Sequence, residues 1–203
     1  MATPTLTGAP SQLAFDAILR SLSEPGTIRR LPPPPGTEVP AAAMVALALG
    51  DIDLGVSVDN DPSHPVAQLL RAATGVDIVE RSGAHFVVCT DGAVPVGDLR
   101  TGTALVPEDG TRLTIAVDEL SNDATGAATV ALSGPGVPGE RSLSVTGIDV
   151  ETLLALGQAS GEFPAGVDTW LVTPDGRIAA ISRSTTVTST TVTSTTTEDK
   201  GDH

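Results

Sequence analysis

The chain has no tyrosine, three phenylalanines and one tryptophan in 203 residues. A core with so few rings must be built from Val, Ile, Leu and Ala. Lysine is nearly absent too: ten of the eleven basic residues are Arg, and the single Lys is Lys200, near the C-terminus. Chemistry that needs a lysine amine inside the fold is therefore almost excluded. One cysteine, Cys89, rules out an internal disulfide. It lies in the apolar run from His85 to Cys89 and reads as a small buried hydrophobe, with no Lys or flanking Arg to activate its thiol. Such cysteine usage fits a reducing cytoplasm. No stretch approaches the roughly 20 apolar residues of a membrane span. Ala41 to Leu49 is apolar but too short, and the start of the chain lacks the basic region of a secretory signal. Positive charge is scarce as well. The net charge is −14, and the closest thing to a basic run is Arg29-Arg30. Nucleic acid and anionic membranes are poor partners for such a surface. The acidity serves solubility, with a basic partner as the sharper alternative.

What is present reads as one α/β domain over residues 11–186, after a flexible lead-in of residues 1–10. Ser11 can cap a helix to about Leu22, with Phe15, Ile18, Leu19 and Leu22 as its apolar stripe and Pro25-Gly26 as its exit. Pro32 to Pro35 form a rigid extended spacer. A second helix spans about Ala41 to Leu49. A third follows Ser63, with Pro65 in its first turn and Gly75 after its end. Strands are predicted at Phe86 to Cys89, Leu113 to Val117, Thr129 to Leu132 and Leu143 to Val145. The first of these is apolar throughout, the pattern of a strand buried on both faces. Asp149 caps a helix to about Gln158. Thr169 to Val172 and Arg177 to Ile181 flank Pro174-Asp175-Gly176 as a β-hairpin. This order predicts a mixed β-sheet flanked by helices. Twelve of the fourteen residues from Ser184 to Thr197 are Ser or Thr. With so little to bury, residues 187–203 are expected to be a disordered tail, a stray strand being the alternative.

Few motifs could carry chemistry. Ser133-Gly134-Pro135-Gly136 follows a strand like a phosphate cradle, but a cradle needs a helix opening behind it, and the next element reads as strand. A structural turn with glycines at positive φ is the plainer reading; a loop shaped for a ligand or partner is the other. A hydrolase relay would need His64 or His85 to reach Ser133, and Gly-x-Ser-x-Gly is missing there. Asp51, Asp53, Asp59 and Asp61 could hold a cation or simply belong to turns. Asp168 is a buried carboxylate or a site residue. Arg183 could hold an anion or a partner carboxylate in its planar fork, or form a salt bridge. No catalytic residues, metal ligands or cofactor-binding residues are assigned. Ser133, Gly134, Gly136, Asp168 and Arg183 stand as candidate ligand or partner contacts.

Four segments, in order, resemble a known family. They are Phe15 to Ile28 with its Pro25-Gly26 exit, Gly102 to Thr111 with Pro107-Glu108, Leu132 to Val137, and Phe163-Pro164-Ala165-Gly166-Val167-Asp168 through Ser182-Arg183-Ser184-Thr185. Together they are similar to PhnH, a subunit of the bacterial carbon–phosphorus lyase system of phosphonate breakdown. The resemblance spans about Ser11 to Thr186. It implies a fold like the large domain of pyridoxal-phosphate-dependent transferases, without that cofactor. It implies a cytoplasmic homodimer that joins sister subunits G, I and J, with K associating. It also implies a non-catalytic role, with G, I and the ATPase-like L, in transferring ribose 5-triphosphate from ATP to an alkylphosphonate. The chain departs from the family pattern at Asp16, where the family carries Arg, at Ser182 and Ser184 in the closing motif, at Arg112, and in its Thr-rich tail. The alternative is a free-standing enzyme or sensor for an anionic ligand.

Overall fold

The computed structural model describes residues 4–61, 63–92, 94, 96–123, 128–159 and 163–190. The chain runs α1 (Ala9–Ser23), β1 (Arg29–Arg30), α2 (Met44–Leu49), β2 (Gly55–Asp59), α3 (Pro65–Thr74), β3 (Asp77–Ile78) and β4 (Phe86–Cys89). It continues through β5 (Arg112–Ala116), β6 (Glu119–Ser121), β7 (Ala128–Ser133), β8 (Arg141–Thr146), α4 (Val150–Gln158), β9 (Asp168–Val172), β10 (Arg177–Ile181) and β11 (Thr186–Ser189).

The strands form two sheets rather than the one expected. The larger has the order β1-β10-β9-β5-β4-β2-β3. Its pairs from β9 through β5, β4 and β2 to β3 are parallel, while β10 pairs antiparallel with both β9 and β1. The smaller sheet, β11-β7-β8-β6, is antiparallel throughout. The reason lies in the side chains of the central strands. Successive residues of a strand point to opposite faces, and in β4, β9 and β10 both faces are apolar. Phe86, Val88, Trp170, Val172, Ile178 and Ala180 join a core with α1, α2, α3 and the 3₁₀ turn Ala41–Ala43. Val87, Cys89, Leu171, Ala179 and Ile181 join a second core with β7, β8 and α4. The central sheet is thus covered by helices on one side and by the small sheet with α4 on the other.

Local signals place most of the elements. Asp149 caps α4, its Oδ1 accepting from the Thr152 N–H at 2.6 Å. Gly75 ends α3 at φ 83°. One cap differs from expectation. α1 begins at Ala9 behind Gly8, with Pro10 in its first turn, so Ser11 lies inside the helix. At α3 the capping carboxylate is Asp61, which accepts from Val66 N and Ala67 N at 3.2 and 3.0 Å. The stripe of α1 also differs. Ala14, Ala17, Ile18 and Ser21 are the buried positions, while Phe15 and Leu19 stay about half exposed. Small residues let the helix approach the sheet, and the Trp170 Nε1–H donates to Ser21 Oγ and Ile18 O across that contact.

Past the expected boundary at residue 186 the chain continues as β11 on the edge of β7. Val187 seats against Gly157 of α4, where a Cβ would stand 2.6 Å from it. The remainder of the Thr-rich tail, from residue 191, lies outside the described residues.

Candidate functional site

Asp168 opens β9 and Arg183 follows β10, the neighbouring antiparallel strand. Because Ile181 stands opposite Thr169, the chain beyond Ile181 comes back alongside Asp168. The pairing is bidentate and more. Arg183 N–H donates to Asp168 Oδ1 at 2.9 Å, and Nε and Nη2 donate to Oδ2 at 3.0 and 2.6 Å. Nη1 donates to Pro107 O at 2.6 Å and Pro164 O at 3.4 Å. The side chains are only 16% and 12% exposed. One guanidinium therefore ties together β9, the loop before β5 and the loop carrying the cis Phe163-Pro164 peptide. Its fork is committed to internal acceptors, so it is a structural clamp.

Two further contacts lock the same loops. Gly166 N–H donates to Thr101 O at 2.7 Å. A Cβ on Gly110 would stand 2.3 Å from Gly166 O, so the two backbones touch directly. Arg112 lies beside the clamp, its guanidinium 5.6 Å from the centre of the Phe86 ring. Burial lowers its pKa, an effect that Asp168 opposes and Arg183 reinforces.

The Ser133–Gly136 turn lies next to the backbone that follows Arg183. Gly134 and Gly136 have φ of 121° and 81°. A Cβ on Gly134 would come within 2.9 Å of Ser184 O, and one on Gly136 within 2.0 Å of Ser23 O. The glycines let this turn pack against the exit of α1 and against the turn after β10. The next element is β8, so no helix N-terminus stands behind the loop. Of the five candidate residues, then, Asp168 and Arg183 bond each other, while the turn meets the backbone beyond Arg183 and the exit of α1.

A second polar region lies at the carboxyl ends of the parallel strands, where open α/β sheets bind ligands. A cleft of about 650 Å³ is lined by Asp59, Asn60, Arg81, Asp91, Asp149 and Thr152, with Gly92 and Val94. Arg81 Nη2 bonds Asp59 Oδ1 at 2.7 Å, and the Cys89 thiol donates to Asp59 Oδ2 at 3.4 Å. Asn60 Nδ2 donates to Asp91 Oδ2 at 2.5 Å. The bond to Asp59 raises the Arg81 pKa; burial, then the Asp59 charge, pushes the Cys89 thiol up. The readable signal was the Cys-Thr-Asp at the end of the predicted strand Phe86–Cys89; the strand that Asp59 ends was not foreseen. The pairing of β2 with β4 that unites them is long-range and was not visible. Three carboxylates against one guanidinium make this cleft hostile to anions. His64 at the start of α3 and half-buried His85 lie on separate elements from Ser133, and His85 Nδ1 accepts the Gly55 N–H at 3.1 Å. Among the described residues no group of three or more His, Cys, Asp or Glu is gathered for a metal ion.

The fold and its clamp define an α/β scaffold whose most elaborate polar cluster serves to fix loops. Comparison with known proteins says whose scaffold it is. The family model described as bacterial phosphonate metabolism protein (PhnH) matches residues 7–188, and the chain belongs to that family. It is also 27% identical over 174 residues to HtxG of Stutzerimonas stutzeri, named as a candidate C-P lyase subunit protein. That alignment covers 86% of this chain and 84% of the relative.

Proposed function

We propose that the chain is a non-catalytic subunit of a carbon–phosphorus lyase assembly. In this reading it forms a homodimer in the cytoplasm and joins sister subunits G, I and J, with K associating. It supports the transfer of ribose 5-triphosphate from ATP to an alkylphosphonate without supplying the reacting groups. The observation that carries the reading is the family match over residues 7–188, with the C-P lyase subunit named in the relative as its companion. The site geometry agrees. Arg183, the best candidate for gripping a phosphonate or triphosphate, spends its donors on Asp168 and two carbonyls. The cleft at the carboxyl ends of the parallel strands sets three carboxylates, Asp59, Asp91 and Asp149, against the one guanidinium of Arg81. Both features weigh against a free-standing enzyme or sensor for an anionic ligand. The helix-covered, largely parallel sheet is compatible with kinship to the large domain of pyridoxal-phosphate-dependent transferases.

The test is genetic and biochemical. Deleting the gene should abolish growth on methylphosphonate as sole phosphorus source while leaving growth on phosphate intact. Wild-type growth of the deletion strain on methylphosphonate would end the proposal. So would turnover of ATP and phosphonate at an enzymatic rate by the isolated chain.

A further inference from the structure

The strand β11 is built from a sequence that occurs twice. Residues 185–190 read Thr-Thr-Val-Thr-Ser-Thr, and residues 190–195 read Thr-Thr-Val-Thr-Ser-Thr again, sharing Thr190. The first copy pairs with β7 from Thr186 opposite Ser133 to Ser189 opposite Val130. Few side chains hold it there. Val187, its only apolar residue, packs on the second core, and a Cβ on Gly157 of α4 would lie 2.6 Å from it. Thr188 Oγ1 and Thr190 Oγ1 donate to Ala131 O and Thr129 O at 3.5 and 3.4 Å. Each of these side chains has an identical counterpart five residues on: Val192 for Val187, Thr193 for Thr188 and Thr195 for Thr190. Contacts that accept one copy therefore accept the other. Strands that are polar on both faces also specify their register weakly, and Thr186, Thr188 and Ser189 are all exposed.

The edge of β7 has room for one copy. It is six residues long, Ala128–Ser133, and Thr190 already stands at Thr129. Five is odd and side chains alternate, so one unbroken strand would turn Val192 to the face opposite Val187. The two valines are thus alternatives for the α4 contact. The tether favours the first copy: Thr185 is buried and its N–H donates to Ser182 O at 2.9 Å, which leads residue 186 straight onto β7. Seating the second copy leaves 186–190 as a five-residue loop, whose closure costs about tenfold in population. We infer that residues 191–195 are a spare β11, which takes the edge of β7 when residues 186–190 leave it. The strand so covered carries the buried Ala128, Val130 and Leu132. An apolar strand with a bare edge is a template for pairing with other chains, and the spare copy keeps that edge closed.

The experiment uses the full chain and three variants: Val187→Asp, Val192→Asp and the two together. The readout is hydrogen exchange of the β7 amides on the β11 side, followed by NMR, because it reports local opening of that edge. Val192→Asp should exchange like wild type, since the first copy stays seated. Val187→Asp should exchange about tenfold faster, the cost of closing the loop. The double variant, with neither copy fit for the seat, should be at least about tenfold faster again. In Val187→Asp a nuclear Overhauser contact should also join the Val192 methyls to Gly157. Equal rates in Val187→Asp and the double variant would overturn the inference, because Val192 would then rescue nothing. Absence of the Val192–Gly157 contact in Val187→Asp would overturn it as well. Should the double variant fail to fold, Val187→Ala and Val192→Ala, singly and together, put the same comparison with a milder change.

Discussion

Arg183 shows how one side chain can look like a binding residue in sequence and act as a brace in the fold. Its five guanidinium N–H groups and the carboxylate of Asp168 meet away from solvent. Removing one partner strands the other, which costs far more than the intact pair contributes. Asp168→Asn should therefore destabilise the protein by about 3 kcal/mol. A urea unfolding curve checks this, and a loss below about 1 kcal/mol would mean the pair behaves like a surface salt bridge. His85 makes a second prediction at this scale. Burial, and after it the Arg100 charge, lowers its pKa, and its Nδ1 accepts a hydrogen bond only when unprotonated. A group with a lowered folded-state pKa contributes stability that is whole above its unfolded value of about 6.5 and is lost as pH falls through the folded value. The unfolding midpoint should decline on acidifying from pH 7 to 5, and His85→Gln should flatten that decline. An identical decline in the variant would put the proton elsewhere.

At the scale of elements, legibility followed the range of the interaction. The α4 cap at Asp149, the Pro-in and Gly-out ends of α3 and the Pro174-Asp175-Gly176 turn are local, and each was readable. The strand at Phe86 to Cys89 was readable as buried on both faces because both its faces are apolar. The short strands β1, β2, β3 and β6 were not foreseen, since two to five residues with Gly, Ser, Arg or Glu among them carry no period of their own. They become strands only because a neighbour pairs with them. The stripe of α1 was legible in part: Ile18 is buried and Leu22 packs on the same core. Periodicity also nominated Phe15 and Leu19, whereas contact with the sheet took the small residues Ala14, Ala17 and Ser21 beside Ile18. The Ser133–Gly136 turn was legible as a turn, but the reason for its glycines was not, because Ser23 and Ser184 come from distant elements. That reason can be tested. Gly136→Ala forces a side chain onto a backbone at φ 81° and onto Ser23 O. The backbone conformation alone should cost about 1–2 kcal/mol, with the clash adding to it. A variant as stable as wild type would show that the turn is free to move away from α1.

For the molecule as a whole, the central sheet makes the two cores one unit. Phe86 and Val88 serve the helix side, and Val87 and Cys89 serve the other. The same holds for Trp170 and Val172 against Leu171. A strand cannot leave one core without withdrawing alternate residues from the other, so neither layer has a reason to melt alone. The single tryptophan is well placed to test this. Trp170 is buried in β9 between α1 and the sheet and reports the helix side, while far-UV circular dichroism reports both layers. Unfolding in urea should give coincident midpoints by the two probes, the mark of an all-or-none transition. If tryptophan fluorescence changed first while half the dichroism remained, the helical layer would be separable. The small sheet with α4 would then have to be stable without it, although the counter-surface it packs on, the apolar face of β4, β5, β9 and β10, belongs to the shared central sheet.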